Sequence, residues 1–280
     1  MLYHSIFRPG LFDNQVVIVT GGGTGIGRCI TYELTALGAQ VAICSHKARH
    51  IEPAQQELAN RGSKIMAAVC DIRDRESVVA FVDQVLATYG RIDGLVNNAG
   101  GQSLVPAEEL TPEQWQTVLD TNLTGAWNMT QTVMTHYMRE HGGAIVNTTM
   151  ENARGFPGMA HSGAARAGVQ NLTKTLAVEW AQYGIRVNAI APGIINSSGL
   201  QRYPKVVRDQ VAAFAQSIPA KRLGGEGEVA ALVTFLLSPG ASYLSGQTIW
   251  LDGAASLWSM PYSVDEHENW PPPYNGFEEE

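Results

Sequence analysis

The chain of 280 residues is 45% hydrophobic and 16% charged, which suits one large α/β globule with a sizeable core and no dividing linker. A formal net charge of −7 and a pI near 5.5 weigh against nucleic acid or an anionic membrane as partner, since both attract basic faces. No run reaches the roughly 18 apolar residues of a membrane helix.

Short apolar runs alternate with helical patterns along the chain. Strands are expected at Val16–Thr20, Gln40–Cys44, Lys64–Val69, Gly94–Asn97, Ala144–Asn147, Arg186–Ile190 and Thr248–Leu251. Helices are expected at Gly27–Leu37, Arg75–Tyr89, Pro112–His141, Gly163–Tyr183 and Gly227–Leu237. That alternation implies a single-domain Rossmann fold over residues 1–260, a doubly wound parallel seven-stranded sheet with helices on both faces. Residues 196–217 break the rhythm and read as an insertion covering a substrate. From Pro261 onward periodicity is lost; this tail is expected to dock on a neighbouring subunit before Pro271 and to lack order after it.

Cys29, Cys44 and Cys70 have neither a disulfide framework nor metal-ligand spacing, and are expected to be buried and reduced. No metal site is expected. The N-terminus lacks the apolar core of a signal peptide, and Glu278-Glu279-Glu280 is not a peroxisomal import tripeptide, so the cytoplasm is the expected compartment.

Val16 to Gly27 reads as a buried strand, a glycine-rich turn and the start of a helix. Gly21, Gly25 and Gly27 let backbone N–H groups approach a pyrophosphate at the helix N-terminus, where partial positive charge lies. An acid at the end of the second strand would accept a ribose 2′-hydroxyl, and here Ser45-His46-Lys47 stands instead. With Arg28 after the glycine turn, these residues favour NADPH over NADH.

The spacing Thr20-Gly-x-x-x-Gly-x-Gly27, with Asn97-Asn98-Ala99-Gly100, Asn122 and Pro192-Gly193, resembles the short-chain dehydrogenase/reductase family over about residues 10–256. By that resemblance Thr24, Ile26 and Ala99 join the cofactor site, and Asn98 and Gly100 flank the adenosine side. Asp71 and Ile72 contact adenine, while Pro192, Gly193 and Ile195 face the nicotinamide. The family's catalytic Ser, Tyr and Lys positions fall on Thr149, Ser162 and Arg166, beside Asn122.

Those replacements change the chemistry. Thr149 retains a hydroxyl, but Ser162 is a poor substitute for a phenol as proton donor. Arg166 stays charged and cannot shuttle protons, though it can anchor a ribose or stabilise an oxyanion. Fixed charge and hydroxyl donors suit reduction of an enoyl thioester, whose enolate is resonance-stabilised. His161-Ser-Gly-Ala-Ala-Arg-Ala-Gly-Val169, Asn171-Leu-Thr-Lys174 and Ile218-Pro-Ala-Lys-Arg222 also resemble the NADPH-dependent peroxisomal trans-2-enoyl-CoA reductases. A tyrosine of that branch is Gln170 here, which is no acid, and Lys174 reads as a surface residue. His161 and Glu151 are weaker candidates for the donor, because adjacent helical residues such as His161 and Ser162 point about 100° apart.

The expected substrate is therefore an acyl-CoA, with Arg154, Arg202, Lys205, Arg208, Lys221 and Arg222 placed to meet its phosphates. Tyr203, Phe214, Trp258 and Tyr262 are candidates for an acyl channel. Alternatives are oxidation of a terpenoid alcohol such as citronellol, and a degenerate member that binds NADP without chemistry. By resemblance a homotetramer is expected, paired through helix faces carrying Trp127, Val133, Leu176 and Trp180.

Overall fold

β1 (Val16–Thr20) is buried at all five positions, as a strand covered on both faces must be. Its side chains divide by alternation: Val17 and Val19 enter one core, Val16 and Ile18 the other. The computed structural model describes residues 3–60, 62–63, 65–258 and 264–277, and of Arg202 the backbone alone. Lys64, Tyr262 and the three terminal glutamates, all invoked above, lie outside the described residues.

From β1 the chain runs through α1 (Gly25–Ala36), β2 (Gln40–Ser45), α2 (Glu52–Ala59), β3 (Ile65–Val69), α3 (Arg75–Tyr89) and β4 (Gly94–Asn97). α4 (Pro112–Leu119) begins on a Thr111–Gln114 capping box. It continues through a π-helical turn, Asp120–Thr124, into α5 (Gly125–Val133), a second π turn, Met134–Met138, and α6 (Arg139–His141). β5 (Gly143–Thr148), α7 (Ala160–Glu179) and β6 (Ile185–Pro192) follow. Next come β7 (Ile195–Asn196), α8 (Lys205–Ala215), β8 (Gly224–Gly225), α9 (Glu226–Leu237) and β9 (Thr248–Leu251). The sheet order is β3-β2-β1-β4-β5-β6-β9, parallel throughout. The order reverses between β1 and β4, where a doubly wound sheet opens a ligand crevice.

One core layer joins the sheet to α1 and α9 through Ile30, Leu34, Val229 and Val233. The other joins it to α3, α5 and α7 through Phe81, Val82, Met129 and Leu176. Val133, Leu176 and Trp180 are buried within the subunit and Trp127 packs against them. Val133, Leu176 and Trp180 are thus core residues rather than the subunit face expected of them, while Trp127 is half-buried. All three cysteines are buried and free. Among the described residues no helix is long and apolar enough to cross a membrane.

The insertion is more regular than its sequence suggests, because α8 occupies half of it. The tail also departs from expectation: residues 264–277 dock on their own chain and stay ordered past Pro271. Tyr3 and Phe277 form an antiparallel bridge, and the His4 N–H donates to the Gly276 carbonyl at 2.7 Å. Apolar and aromatic character drives this: Phe277 meets Tyr3 edge-on at 4.7 Å and Tyr32 at 5.2 Å.

Candidate active site

The C-terminal ends of β1 to β4 surround a cleft of ≈ 440 Å³. Gly21 and Gly25 take left-handed φ values of 67° and 55°, open to glycine at no steric cost. A Cβ on Gly27 would lie 2.2 Å from the Gly21 carbonyl oxygen. Thr24, at the start of α1, makes no side-chain cap, which leaves the first helical N–H groups to meet an anion. The Thr20 hydroxyl accepts from the Asn98 and Ala99 N–H groups at 3.0 Å each, fastening the β4 loop to the glycine turn.

Of the expected cofactor residues, Gly21, Thr24, Gly25, Ile26, Gly27, Ser45, His46, Asp71, Ile72, Asn98, Ala99 and Gly100 line this cleft. Pro192, Gly193 and Ile195 are not among its walls; Pro192 ends β6, Ile195 begins β7 and Gly193 lies between them. Arg28 and Lys47 are also absent from it. The Arg28 guanidinium pairs with Glu57 at 2.9 Å and lies over the Tyr32 and Phe277 rings at 5.0 and 5.6 Å. It is directed at α2 and the tail rather than at a ribose phosphate.

Sequence reasoning missed His50 and Arg73, which line the same end of the cleft, and Ser197, Ser198 and Gly199, which cover it. Arg73 binds both oxygens of Asp71, at 2.9 Å from Nε and 2.6 Å from Nη2. That pairing holds the Asp71 carboxyl below its usual range. Burial, with Lys47 beside it, lowers the His46 imidazole. The signal for Arg73 was its place just past the third strand, where a side chain meets the crevice.

The catalytic candidates stand behind Gly100 and Gly101. Asn122 lies inside the first π turn; it donates to the Gly101 carbonyl and accepts from the Gly101 N–H, both at 2.9 Å. π turns recur at functional sites because they re-aim one helical residue. Arg166 is buried and donates to the Thr148 carbonyl at 2.6 Å. Burial pushes its guanidinium down to about 10, still charged at neutral pH. Among the described residues no carboxylate pairs with it. A Cβ on Gly100 would sit 2.0 Å from Arg166 Nη2, so glycine makes room for this cation.

Thr149 donates to the Ile190 carbonyl at 2.7 Å, so its proton faces backbone rather than a substrate carbonyl as expected. Gln170 donates to Thr149, Met150 and Asn152 at 3.2–3.4 Å and clamps that loop. Ser162 is fully buried and donates to Gln102 Oε1 at 3.2 Å. His161 is a packed residue: Nδ1 accepts the Ser162 N–H at 2.9 Å, and Nε2 lies 3.1 Å from the Ser103 hydroxyl. Glu151 accepts the Ala153 N–H within its turn, and Lys174 is exposed.

A second cavity of ≈ 350 Å³ shares Gly101, Thr117 and Thr121 with the cleft and is walled further by Gln102, Ser103 and Val118. Of the bases expected to meet phosphates, five are engaged within the chain. Arg154 donates to the Ser256 and Trp258 carbonyls, Lys205 pairs with Asp209, and Arg208 donates to Gln201. Lys221 pairs with Glu266 in the tail, and Arg222 pairs with Glu228 while donating to Pro271.

A family profile of short-chain alcohol dehydrogenase type, described as Enoyl-(Acyl carrier protein) reductase, matches residues 21–255. The chain belongs to the short-chain dehydrogenase/reductase family. It is an oxidoreductase, and its family and relatives imply a nicotinamide cofactor. Within the family it is 37% identical over 262 residues to the peroxisomal 2,4-dienoyl-CoA reductase of Danio rerio, covering 92% of this chain and 86% of that protein. The probable 2,4-dienoyl-CoA reductase of Bacillus subtilis is 36% identical, with 89% and 99% covered. Among solved structures, a citronellol catabolism dehydrogenase of Pseudomonas aeruginosa PAO1 superposes with a TM-score of 0.82 at 47% identity, covering 91% of this chain and 100% of that one. In this short-chain dehydrogenase/reductase the glycine turn and the Arg166 guanidinium, which has no carboxylate partner among the described residues, fit a dinucleotide: one offers backbone donors to phosphate, the other a cation for ribose oxygens.

Proposed function

We propose that the protein is an NADPH-dependent reductase of a C=C bond conjugated to an acyl-CoA thioester, a 2-enoyl- or 2,4-dienoyl-CoA. The observation that carries this reading is Arg166, a buried cation with no carboxylate partner among the described residues. Ser162, where the family has tyrosine, stands one helical turn before it. A fixed positive charge stabilises an enolate as it forms and needs no proton to do so. Reduced nicotinamide, when bound, supplies the hydride. Arg166 would hold ribose oxygens or the thioester anion, Asn122 fixes the Gly101 backbone, and Gln170 clamps the Thr149–Asn152 loop. The relatives named as dienoyl-CoA reductases support the same substrate class. Ser45 and His46 at the cleft's adenosine end, with no acid on β2 beside them, support NADPH.

A second reading, oxidation of a terpenoid alcohol, is favoured by the 47% identity to the citronellol catabolism dehydrogenase. NADPH consumption with crotonyl-CoA and with a 2,4-dienoyl-CoA, beside NADP+ reduction with citronellol, separates the two. Turnover of acyl-CoA without alcohol oxidation is expected, and the reverse pattern sinks the proposal. Tight NADPH binding with neither activity would instead mark a binding protein. A homotetramer remains our proposal for the assembly, now through exposed apolar residues such as Val178 on α7 and Trp250 on β9. Light scattering on a size-exclusion column tests it, and a monomer refutes it.

A further inference from the structure

A reduction of this kind needs a proton as well as a hydride, and the polar hydrogens of Thr149, Ser162, His161, Asn122 and Gln170 are engaged. The Thr149 hydrogen lies on the Ile190 carbonyl and the Ser162 hydrogen on Gln102. His161 accepts at Nδ1, which puts the hydrogen of the neutral ring at Nε2, against Ser103. Asn122 and Gln170 bond backbone and loop groups. Among the described residues the Ser103 and Thr148 hydroxyl hydrogens have no acceptor, but an aliphatic alcohol is a far weaker acid than a phenol.

Tyr203 is such a phenol. It lies between the turn Leu200–Arg202 and α8, where its N–H donates to the Leu200 carbonyl at 3.1 Å and Pro204 starts the helix. The Gln102 amide bridges it to the family's tyrosine position: Nε2 donates to the Tyr203 oxygen at 3.3 Å, and Oε1 accepts from Ser162 at 3.2 Å. In this orientation the phenol accepts from Gln102, and among the described residues its own hydrogen has no acceptor. Gln102 and Gly101 also wall the second cavity, which places the phenol's bridge beside the room for an acyl group.

We infer that Tyr203 is the proton donor of the reaction, a phenol supplied by the insertion where α7 lacks one. This rests on the acyl-CoA reading above. Hydride adds at the β-carbon of a 2-enoyl thioester, and the π pair of the C=C bond moves onto the thioester as an enolate. The enolate's electron pair then takes the Tyr203 hydrogen to form the α C–H bond. The phenolate left behind regains a proton from water, which its partly exposed position allows.

Tyr203→Phe removes only the hydroxyl. Its kcat with crotonyl-CoA should fall about 100-fold or more, with NADPH affinity, measured by fluorescence titration, unchanged. Product made in D2O is the second readout. Native enzyme should give one α-deuterated diastereomer, and the variant both, since water then protonates either face. Gln102→Leu, which cuts the bridge but keeps the phenol, should lose about 10-fold. A Tyr203→Phe variant that keeps its rate overturns the inference, and so does a slow variant that still gives one diastereomer. If native enzyme acts only on citronellol or citronellal, the acyl-CoA reading falls alone. The same variant assayed on that pair then decides Tyr203, a lost rate supporting it and a kept rate refuting it. A native protein active on neither overturns both.

Discussion

Arg166 keeps a full charge in a buried place, and burial of an unpaired charge costs stability unless something else repays it. The fold retains it by leaving Gly100 without a side chain and by offering the Thr148 carbonyl. Arg166→Gln should therefore lower kcat about 100-fold while leaving the melting temperature unchanged or raised. Steady-state kinetics and calorimetry check the two halves, and a melt lowered by several degrees would make the residue structural. Gly100→Ala acts through the same contact: its methyl group displaces the guanidinium, and about a 10-fold loss of turnover is expected with the fold kept. His46 offers a pH test of cofactor choice. Its imidazole sits below the ordinary value of 6.5, so it is neutral at pH 7.5 and gains charge only below 6.5. A 2′-phosphate favours the charged ring, so the NADPH-over-NADH affinity ratio should rise as pH falls from 7.5 to 5.5. A flat ratio would remove His46 from the phosphate's surroundings.

The elements explain which of these residues were readable in advance. Gly21, Gly25, Gly27, Asn98 and Asp71 follow strand ends, and a parallel sheet sends every strand end to one crevice, so their positions are legible from strand order alone. The directions of Arg28, Lys221 and Arg222 were not readable because a long side chain's direction depends on partners distant in sequence, here Glu57, Glu266 and Pro271. α8 was missed although its apolar residues recur at a helical period: only Ala215 on it is buried, and the turn residues around it read as an irregular insertion. Arg222 and Glu228 close the insertion onto α9, where Glu228 also accepts the Gly225 N–H at 2.7 Å, one half of a capping box. Burial alone would raise the Glu228 carboxyl, but the Arg222 and Gly225 bonds outweigh it and lower it below 4.5. A carboxyl depressed in the folded state contributes stability above its unfolded pKa and loses it as pH falls through the folded one. Glu228→Gln should therefore melt lower than native at pH 7, and the gap should narrow below about pH 4.5. A gap independent of pH, followed by differential scanning fluorimetry, would show that the charge does not matter.

Across the whole molecule the tail ties together parts far apart in sequence. Glu33, fully buried on α1, accepts from Tyr3 at 2.5 Å, from Ser5, and from Tyr274 at 3.1 Å. Burial first, then Cys29 and Glu33 beside it, raises the Tyr3 phenol far above its ordinary value, so it serves as a donor. The same tail covers the start of α9: a Cβ on Gly227 would meet the Tyr274 carbonyl oxygen at 2.4 Å. One residue earlier, Glu226 accepts the Ser198 N–H at 3.1 Å, and Ser198 is a wall of the cofactor cleft. The tail thus braces the rim of the cleft through α9 without touching it. Tyr274→Phe removes one donor from Glu33 and should cost about 1 kcal/mol. Ending the chain before Val264 removes that bond, the Phe277 packing and the cover over α9 together. This truncation should lower the melting temperature by about 5 °C or more and weaken NADPH binding several-fold, because the Ser197–Gly199 wall loses its support. A truncated protein that melts early yet binds NADPH as the native one does would separate the two roles and leave the tail a stabiliser of α1 alone.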